Sequence, residues 1–84
     1  MASLREQFGQ RIKAIRLQRQ MSQEQFAELL GISVDFLSLI ERGINAPSFE
    51  NLEVFSIQLG MSVSELFAFG SPTLPPRSGP AASL

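Results

Sequence analysis

Cysteine and histidine, two side chains that often perform catalysis or bind metals, are absent from this sequence. Its 84 residues include neither, which excludes disulfides and thiolate metal sites and removes the commonest general base. A nucleophile would have to be a serine or threonine beside a lysine or a carboxylate, and the sequence groups no such residues. We therefore expect no enzymatic activity, no metal and no cofactor, which leaves the chemistry of binding.

The basic side chains are the first candidates for that binding chemistry, and they are unevenly placed. The formal net charge is −1, but residues 1–20 carry five Lys or Arg and one Glu, whereas the remainder carries two Arg and seven carboxylates. Positive charge concentrated on one segment suits contact with a polyanion such as a phosphate chain. The candidate phosphate partners are Arg11, Lys13, Arg19 and Arg42.

The elements that position these side chains are predicted to be helices. Leu4, Phe8, Ile12 and Ile15 are spaced by four, four and three residues, as on one face of a helix over residues 3–19. Serines typical of N-caps precede four further apolar stretches, and glycines typical of helix ends follow three of the helices. The spacing thus predicts an all-α fold of five helices, over residues 3–19, 23–30, 34–42, 49–59 and 63–69.

The end of the sequence differs in composition from the helical part. Residues 70–84, GSPTLPPRSGPAASL, include four prolines and few apolar side chains, which predicts a disordered tail after a single domain over residues 1–69. No run of about 18 apolar residues occurs, so no membrane span is expected. The first residues also lack the apolar stretch of a signal peptide, and we expect a cytoplasmic protein.

Residues 23–42, QEQFAELLGISVDFLSLIER, form two short predicted helices joined by Gly31, Ile32 and Ser33. Ala27 is small where the two helices should cross, and Gly31 permits the backbone to turn. These are the requirements of a helix-turn-helix, in which the second helix lies in the major groove of DNA.

The chain resembles the lambda-repressor-like helix-turn-helix family, of the xenobiotic-response-element type, from about Phe8 to Phe67. The segments FGQRIKAIRLQR, MSQEQFAELLGIS, FLSLIERG, NAPS and LGMSVSELF carry the resemblance in this order. It implies a compact five-helix domain that binds double-stranded DNA at a near-palindromic operator as a homodimer and regulates transcription. It also implies a partly buried ion pair between Arg16 and Glu41, which we expect to hold the third helix against the first.

Several polar and apolar residues are candidates for DNA contact, at the start of the second helix, along the third and in the loop that follows. They are Gln23, Ser33, Val34, Asp35, Phe36, Leu39 and Asn45. Asp35 either accepts a hydrogen bond from a cytosine amine or serves only to stabilise the helix start while repelling phosphate. Phe36 either contacts DNA or anchors the third helix in the core.

The fourth helix is more apolar than a helix with one buried face requires. Phe49, Leu52, Phe55 and Leu59 are predicted to form its buried stripe. Val54 and Ile57 fall outside this stripe, and the fifth helix adds further large apolar groups. Exposed apolar clusters on small domains mark association surfaces. We therefore predict a two-fold dimer surface at Val54, Ile57, Phe67 and Phe69.

Three further points stay open at this level. Glu24 and Glu28 lie four residues apart on the second helix, and are either a solvated face or a contact for RNA polymerase. Gln20 stands where similar proteins have glycine, and this difference costs little if the φ of Gln20 is negative.

Because the third helix is acidic and aliphatic, the alternative function is a protein-interaction module on the same fold that has weakened or lost DNA binding.

Overall fold

The computed structural model describes residues 2–69, and these form helices with no strand among them. The helices are α1 (Leu4–Gln18), α2 (Gln23–Leu30), α3 (Val34–Glu41), α4 (Phe49–Leu59) and α5 (Val63–Leu66). The predicted all-α fold of five helices is confirmed. The predicted tail, residues 70–84, lies outside the described residues. Over residues 2–69, no helix is long and apolar enough to cross a membrane.

Each helix begins after a serine whose hydroxyl accepts a hydrogen bond from a backbone amide in the first turn. In α2, for example, Ser22 Oγ accepts from the Gln25 amide at 3.1 Å, while Gln25 Oε1 accepts from the Ser22 amide at 2.9 Å. This reciprocal capping box satisfies two amides that have no partner within the helix. The helix starts therefore follow from local sequence chemistry.

Two features near the helix ends differ from the prediction, while two glycines behave as predicted. Gly31 and Gly60 end α2 and α4 with φ of 74° and 65°, as expected of glycine in the left-handed region. However, α5 ends at Leu66 and does not reach Phe69. Gln20 adopts φ of 59°. Its φ is therefore not negative, which was the condition under which glutamine in place of glycine would cost little. An L-residue in this region is disfavoured by about 1–2 kcal/mol.

The core is formed by buried side chains from all five helices. Its fully enclosed side chains are Phe26, Phe55, Ile12, Leu30, Leu37, Ile40 and Leu66. Two predicted core residues, Leu4 and Phe49, are instead 62% and 84% exposed. Each is the first residue of its helix. Because helical side chains lean towards the N-terminus, a side chain at the first position projects past the end of the packed helix.

Gly9 allows a close approach of α1 to α3. A Cβ added at Gly9 would collide with the carbonyl oxygen of Ile40 and lie 3.0 Å from that of Glu41. Only glycine therefore allows α1 to pack so closely against the last turn of α3. This contact fixes where α3 lies and which of its faces points outward.

Candidate nucleic-acid interface

The second helix of the helix-turn-helix, α3, has one buried and one accessible face. Leu37, Ile40 and Glu41 are buried. The accessible side chains recur at intervals of one and three residues, as expected for one helical face. They are Val34, Asp35, Ser38, Leu39 and Arg42. This face, which we call the outer face of α3, is available to a partner.

An ion pair between α1 and α3 fixes the orientation of that face. Arg16 Nε donates to Glu41 Oε2 at 2.7 Å, and Arg16 Nη2 donates to Glu41 Oε1 at 3.1 Å. The two side chains are 10% and 3% exposed, and theirs is the one ion pair among residues 2–69. Two parallel hydrogen bonds between planar groups restrict rotation more than a single contact does. The pair therefore opposes rolling of α3 about its axis.

Gln23, predicted to contact phosphate, extends this ion pair. Its Nε2 donates to Glu41 Oε1 at 3.0 Å, while Arg16 Nη1 donates to the carbonyl of Met21 at 3.1 Å. The network thus joins α1, the start of α2 and the end of α3. The side chain of Gln23 is used within the protein, which leaves its backbone amide in the first turn of α2 for an anion.

The residues at the start of α3 have different structural roles. Ser33 Oγ accepts from the backbone amide of Phe36 at 3.0 Å and is the N-cap. Phe36 is half-buried and packs against the core, which supports its interpretation as an anchor for α3. Asp35 is exposed, and the N-cap role that would occupy its carboxylate is already filled by Ser33.

The predicted phosphate partners separate into two groups. Arg11 donates through Nε and Nη2 to the carbonyl of Glu65 at 3.1 and 2.9 Å, and Arg19 Nη2 donates to the carbonyl of Leu59 at 2.7 Å. These guanidinium groups therefore hold the ends of α5 and α4 against α1. Lys13 and Arg42 are exposed and remain available for phosphate.

The position of Arg11 around α1 also argues against a role in DNA contact. Gly9 faces α3, and Arg11 follows it by two residues, or about 200° around the helix axis. Arg11 thus lies on the side of α1 remote from α3, in agreement with its contact to α5. Lys13 is about 40° from Gly9 and lies on the α3 side.

The loop after α3 brings backbone amides and one predicted site residue together. The amides of Ile44 and Asn45 both donate to the carbonyl of Leu39, at 2.9 and 3.3 Å. Gly43, with φ of 75°, allows this turn. The exposed side chain of Asn45 is therefore held close to the C-terminal end of α3.

Ser38 is one residue of the outer face that the sequence prediction omitted. It is half-buried and lies between Asp35 and Arg42 along this face. Its spacing of three residues from Asp35 and four from Arg42 was a signal that could have identified it. A hydroxyl can donate to or accept from a base edge, so this position suits a DNA-facing surface.

The four predicted dimer residues do not share the same exposure. Val54 and Ile57 are 42% and 76% exposed, as their position outside the buried stripe predicts. Phe67 and Phe69 are half-buried instead of fully exposed. The ring of Phe67 lies 4.9 Å from that of Phe8 and 5.6 Å from that of Phe69, measured between centroids. These two rings contribute an edge to the surface and pack against the core as well.

The two short helices α2 and α3 are joined at a left-handed glycine, and the outer face of α3 is accessible. These features define a helix-turn-helix domain of the DNA-binding class. The helix-turn-helix family model matches residues 12–66. This chain therefore belongs to the lambda-repressor-like helix-turn-helix family, a family of transcriptional regulators and not of enzymes. The narrower xenobiotic-response-element type stays a prediction.

Three similar proteins illustrate the relationship. The immunity repressor protein of Bacillus phage phi105 is 45% identical over 58 residues, which are 69% of this chain and 40% of the repressor. Control protein C.MunI of Mycoplasma sp is 36% identical over 69 residues, 81% of this chain and 93% of that protein. The crystal structure of the clp gene regulator ClgR from C. glutamicum matches with a TM-score of 0.72 and 30% identity, covering 79% of this chain and 85% of that chain.

Proposed function

We propose that this chain regulates transcription by binding a near-palindromic operator as a homodimer, with α3 of each subunit in the major groove. The observation that carries this proposal is the accessible outer face of α3, which lies opposite the buried residues Leu37 and Ile40 and is held in place by the Arg16–Glu41 ion pair. An α-helix with its side chains is about 10–12 Å in diameter. The major groove is also about 12 Å wide and admits an α-helix.

The contacts divide between bases and phosphates. The outer face of α3 supplies Val34 and Asp35 to the base edges, since the N-terminal residues of a recognition helix contact the bases. Ser38 and Leu39 continue the same face one turn further along. Phosphate contacts come from two exposed cations and from neutral groups at the ends of the helices. These phosphate contacts are Arg42, Lys13, Asn45 and the backbone amide of Gln23.

The homodimer is proposed to form through α4 and the residues that follow α5. Val54 and Ile57 leave apolar surface on α4 exposed, and the partly accessible rings of Phe67 and Phe69 continue the predicted surface. In a two-fold dimer the same surface appears on both subunits. Such a dimer would present two recognition helices about 34 Å apart, one turn of DNA.

The DNA-binding proposal is tested by selecting bound sequences from a pool of random duplexes and measuring their affinity across a range of salt concentrations. Two free cations on each of two subunits neutralise about four phosphates, so log Kobs should fall against log salt with a slope of about −3.6. Arg42→Ala should make this slope shallower by about 1.8. Arg11→Ala removes the same charge on the far side of α1 and should leave the slope unchanged.

The expected selected sequence is a pair of inverted half-sites, with centres about one turn of DNA apart. Absence of salt-dependent binding to any duplex at low salt would refute the DNA-binding proposal. A selected sequence without two-fold symmetry would refute the homodimer arrangement while leaving DNA binding in place.

The dimer proposal is tested by sedimentation at high micromolar concentration. The protein should sediment as a dimer, and Ile57→Asp should convert it to a monomer because a buried carboxylate without a partner is costly. Leu17→Asp is the matched control, since Leu17 is an exposed apolar residue of α1 at 55%. A monomeric wild type, or equal dissociation of both variants, would contradict the proposed surface.

A second function, as a protein-interaction module, is favoured by the chemistry of the outer face of α3. Val34 and Leu39 are apolar and Asp35 is acidic, so Arg42 is the one cation on this face. If the protein binds no duplex at low salt, this alternative replaces the first. The contact of Glu24 and Glu28 with RNA polymerase stays a prediction; both residues are exposed on α2.

A further inference from the structure

Asp35 is the one carboxylate on the outer face of α3, and the fold gives it no hydrogen-bonding task. It is the second residue of α3 and is exposed. The hydroxyl of Ser33 already accepts from the first-turn amide of Phe36 at 3.0 Å. Over residues 2–69, no side chain or amide donates to the Asp35 carboxylate. Its acceptor oxygens are therefore free for a ligand.

The position of this carboxylate is electrostatically unfavourable for a protein that only needs to bind phosphate. On the outer face of α3, Asp35 faces the same partner as Arg42, seven residues and about two turns away. Its charge opposes non-specific attraction to DNA, because it is repelled by the phosphates on either side of the groove. A residue in this place improves recognition only if it gains a specific donor.

The major groove offers a carboxylate few donors. Only the N4 amine of cytosine and the N6 amine of adenine donate there. The adenine amine lies beside the N7 acceptor, whose lone pair repels a second acceptor. The cytosine amine has no acceptor beside it on the same base. A carboxylate that enters the groove therefore prefers cytosine to the other three bases.

We propose that Asp35 reads a cytosine in each half-site of the operator by accepting a hydrogen bond from its N4 amine. This inference rests on the proposed function, since it requires α3 to lie in the major groove. The apolar side chains of Val34 and Leu39 share the outer face. They exclude water from the base edge, and a hydrogen bond in a drier environment is stronger.

The test compares the base preferences of three proteins, selected in parallel from one pool of random duplexes. The wild type should enrich cytosine at one position of each half-site. Asp35→Ala should lose the preference at that position and retain the rest of the site. Asp35→Asn should change the preference from cytosine to adenine, because an amide side chain can donate to N7 and accept from N6.

Affinity measurements on the selected site give the size of the effect. Replacing the cytosine–guanine pair by thymine–adenine should weaken wild-type binding by about 5- to 150-fold, the range expected for one base-specific contact. For Asp35→Ala the same replacement should change affinity less than twofold. This variant should also bind random duplex more tightly than wild type at low salt, because one repulsive charge is gone.

Glu50→Gln is the matched control. Glu50 is also the second residue of its helix, it also follows a serine cap, and it is exposed on α4. The substitution removes a charge at an equivalent helix position, so it controls for changes in net charge and helix stability. Its selected sequence should be that of the wild type.

The outcomes separate this inference from the function on which it rests. If the wild type and both Asp35 variants enrich the same bases at every position, Asp35 recognises no base and the inference is overturned while operator binding stands. If Asp35→Asn and Glu50→Gln alter the site in the same way, the effect is one of charge and the inference is also overturned. If the wild type enriches no sequence, the proposed function fails, and the inference fails with it.

Discussion

Removing the guanidinium of Arg16 should destabilise the protein more than any exposed substitution. In Arg16→Met, the carboxylate of Glu41, whose side chain is 3% exposed in the wild type, loses two hydrogen bonds, at 2.7 and 3.1 Å. One donor remains to it, Gln23 Nε2 at 3.0 Å. The carbonyl of Met21 also loses its side-chain donor.

The magnitude follows from the burial of the remaining charge. Breaking a buried ion pair on one side costs about 3–5 kcal/mol, which lowers the melting temperature of a domain this size by about 12–40 °C. Total stability for 84 residues is about 4–13 kcal/mol. The loss in Arg16→Met is thus a large part of the whole and is able to unfold the protein at room temperature.

The assay is urea and thermal unfolding followed by circular dichroism, at one fixed protein concentration because a dimer is stabilised by association. Lys13→Met removes an exposed cation from the same helix and should shift stability by less than about 0.5 kcal/mol. The double variant Arg16→Met/Glu41→Leu should recover most of the loss, since no buried charge is left unpaired.

This double variant keeps the test informative even if Arg16→Met alone does not fold. If Arg16→Met is no less stable than Lys13→Met, the pair does not hold α3 on α1. If the double variant is as unstable as Arg16→Met, the loss comes from packing of the arginine chain and not from the buried charge of Glu41.

Four further substitutions test the packing and the backbone, each measured by the urea midpoint. Gln20→Gly should stabilise by about 0.5–1 kcal/mol, because relief of the left-handed conformation exceeds the entropy that glycine loses; a loss of stability would show that φ is not the limiting feature. Gly9→Ala should destabilise by about 1–2 kcal/mol, since the clash with Ile40 outweighs the better helix propensity of alanine, and an unchanged midpoint would contradict the close approach. Phe55→Ala should cost about 3–5 kcal/mol and Phe49→Ala less than about 0.5 kcal/mol; equal effects would mean that Phe49 is buried in solution.

The starts of the helices were predictable because their chemistry is local. A serine and the partner that completes its box lie three residues apart, as in Ser22 and Gln25, so the signal is contained within four positions. The end of α5 was not predictable in this way. The apolar pattern continues to Phe69, but these last aromatic side chains pack on one another and back against Phe8 of α1, and such contacts need no helix.

The outer face of α3 was largely predictable from periodicity, whereas the uses of the arginines were not. Burial of Leu37 and Ile40 follows from spacing and leaves the opposite side accessible. The contacts of Arg11 and Arg19, by contrast, join residues that are 54 and 40 positions apart. Sequence reveals the excess of charge on α1 but not which carbonyl oxygens it meets after folding.

The hydrogen bonds that Arg11 and Arg19 donate to α5 and α4 explain why α1 carries so much positive charge. Neither α4 nor α5 has a basic residue in its last turn, so neither end is stabilised by a cation of its own. Arg19 and Arg11 supply that cation from α1. The charge that resembles a nucleic-acid signature in the sequence is thus partly a means of attaching α4 and α5 to α1.

The consequence for binding is that one subunit has little electrostatic attraction to DNA. Asp35 offsets Arg42 on the outer face of α3. Two exposed cations, Arg5 and Lys13, lie on the α3 side of α1, and Arg5 donates to the carbonyl of Ile44 at 3.4 Å, which leaves Lys13 for phosphate. A single subunit thus neutralises about two phosphates, too few for tight binding at physiological salt. Two linked subunits bind far more strongly, because the second half-site is engaged at high effective concentration. In the proposed homodimer, operator occupancy should therefore follow the concentration of dimer, and dimerisation through α4 would control regulation.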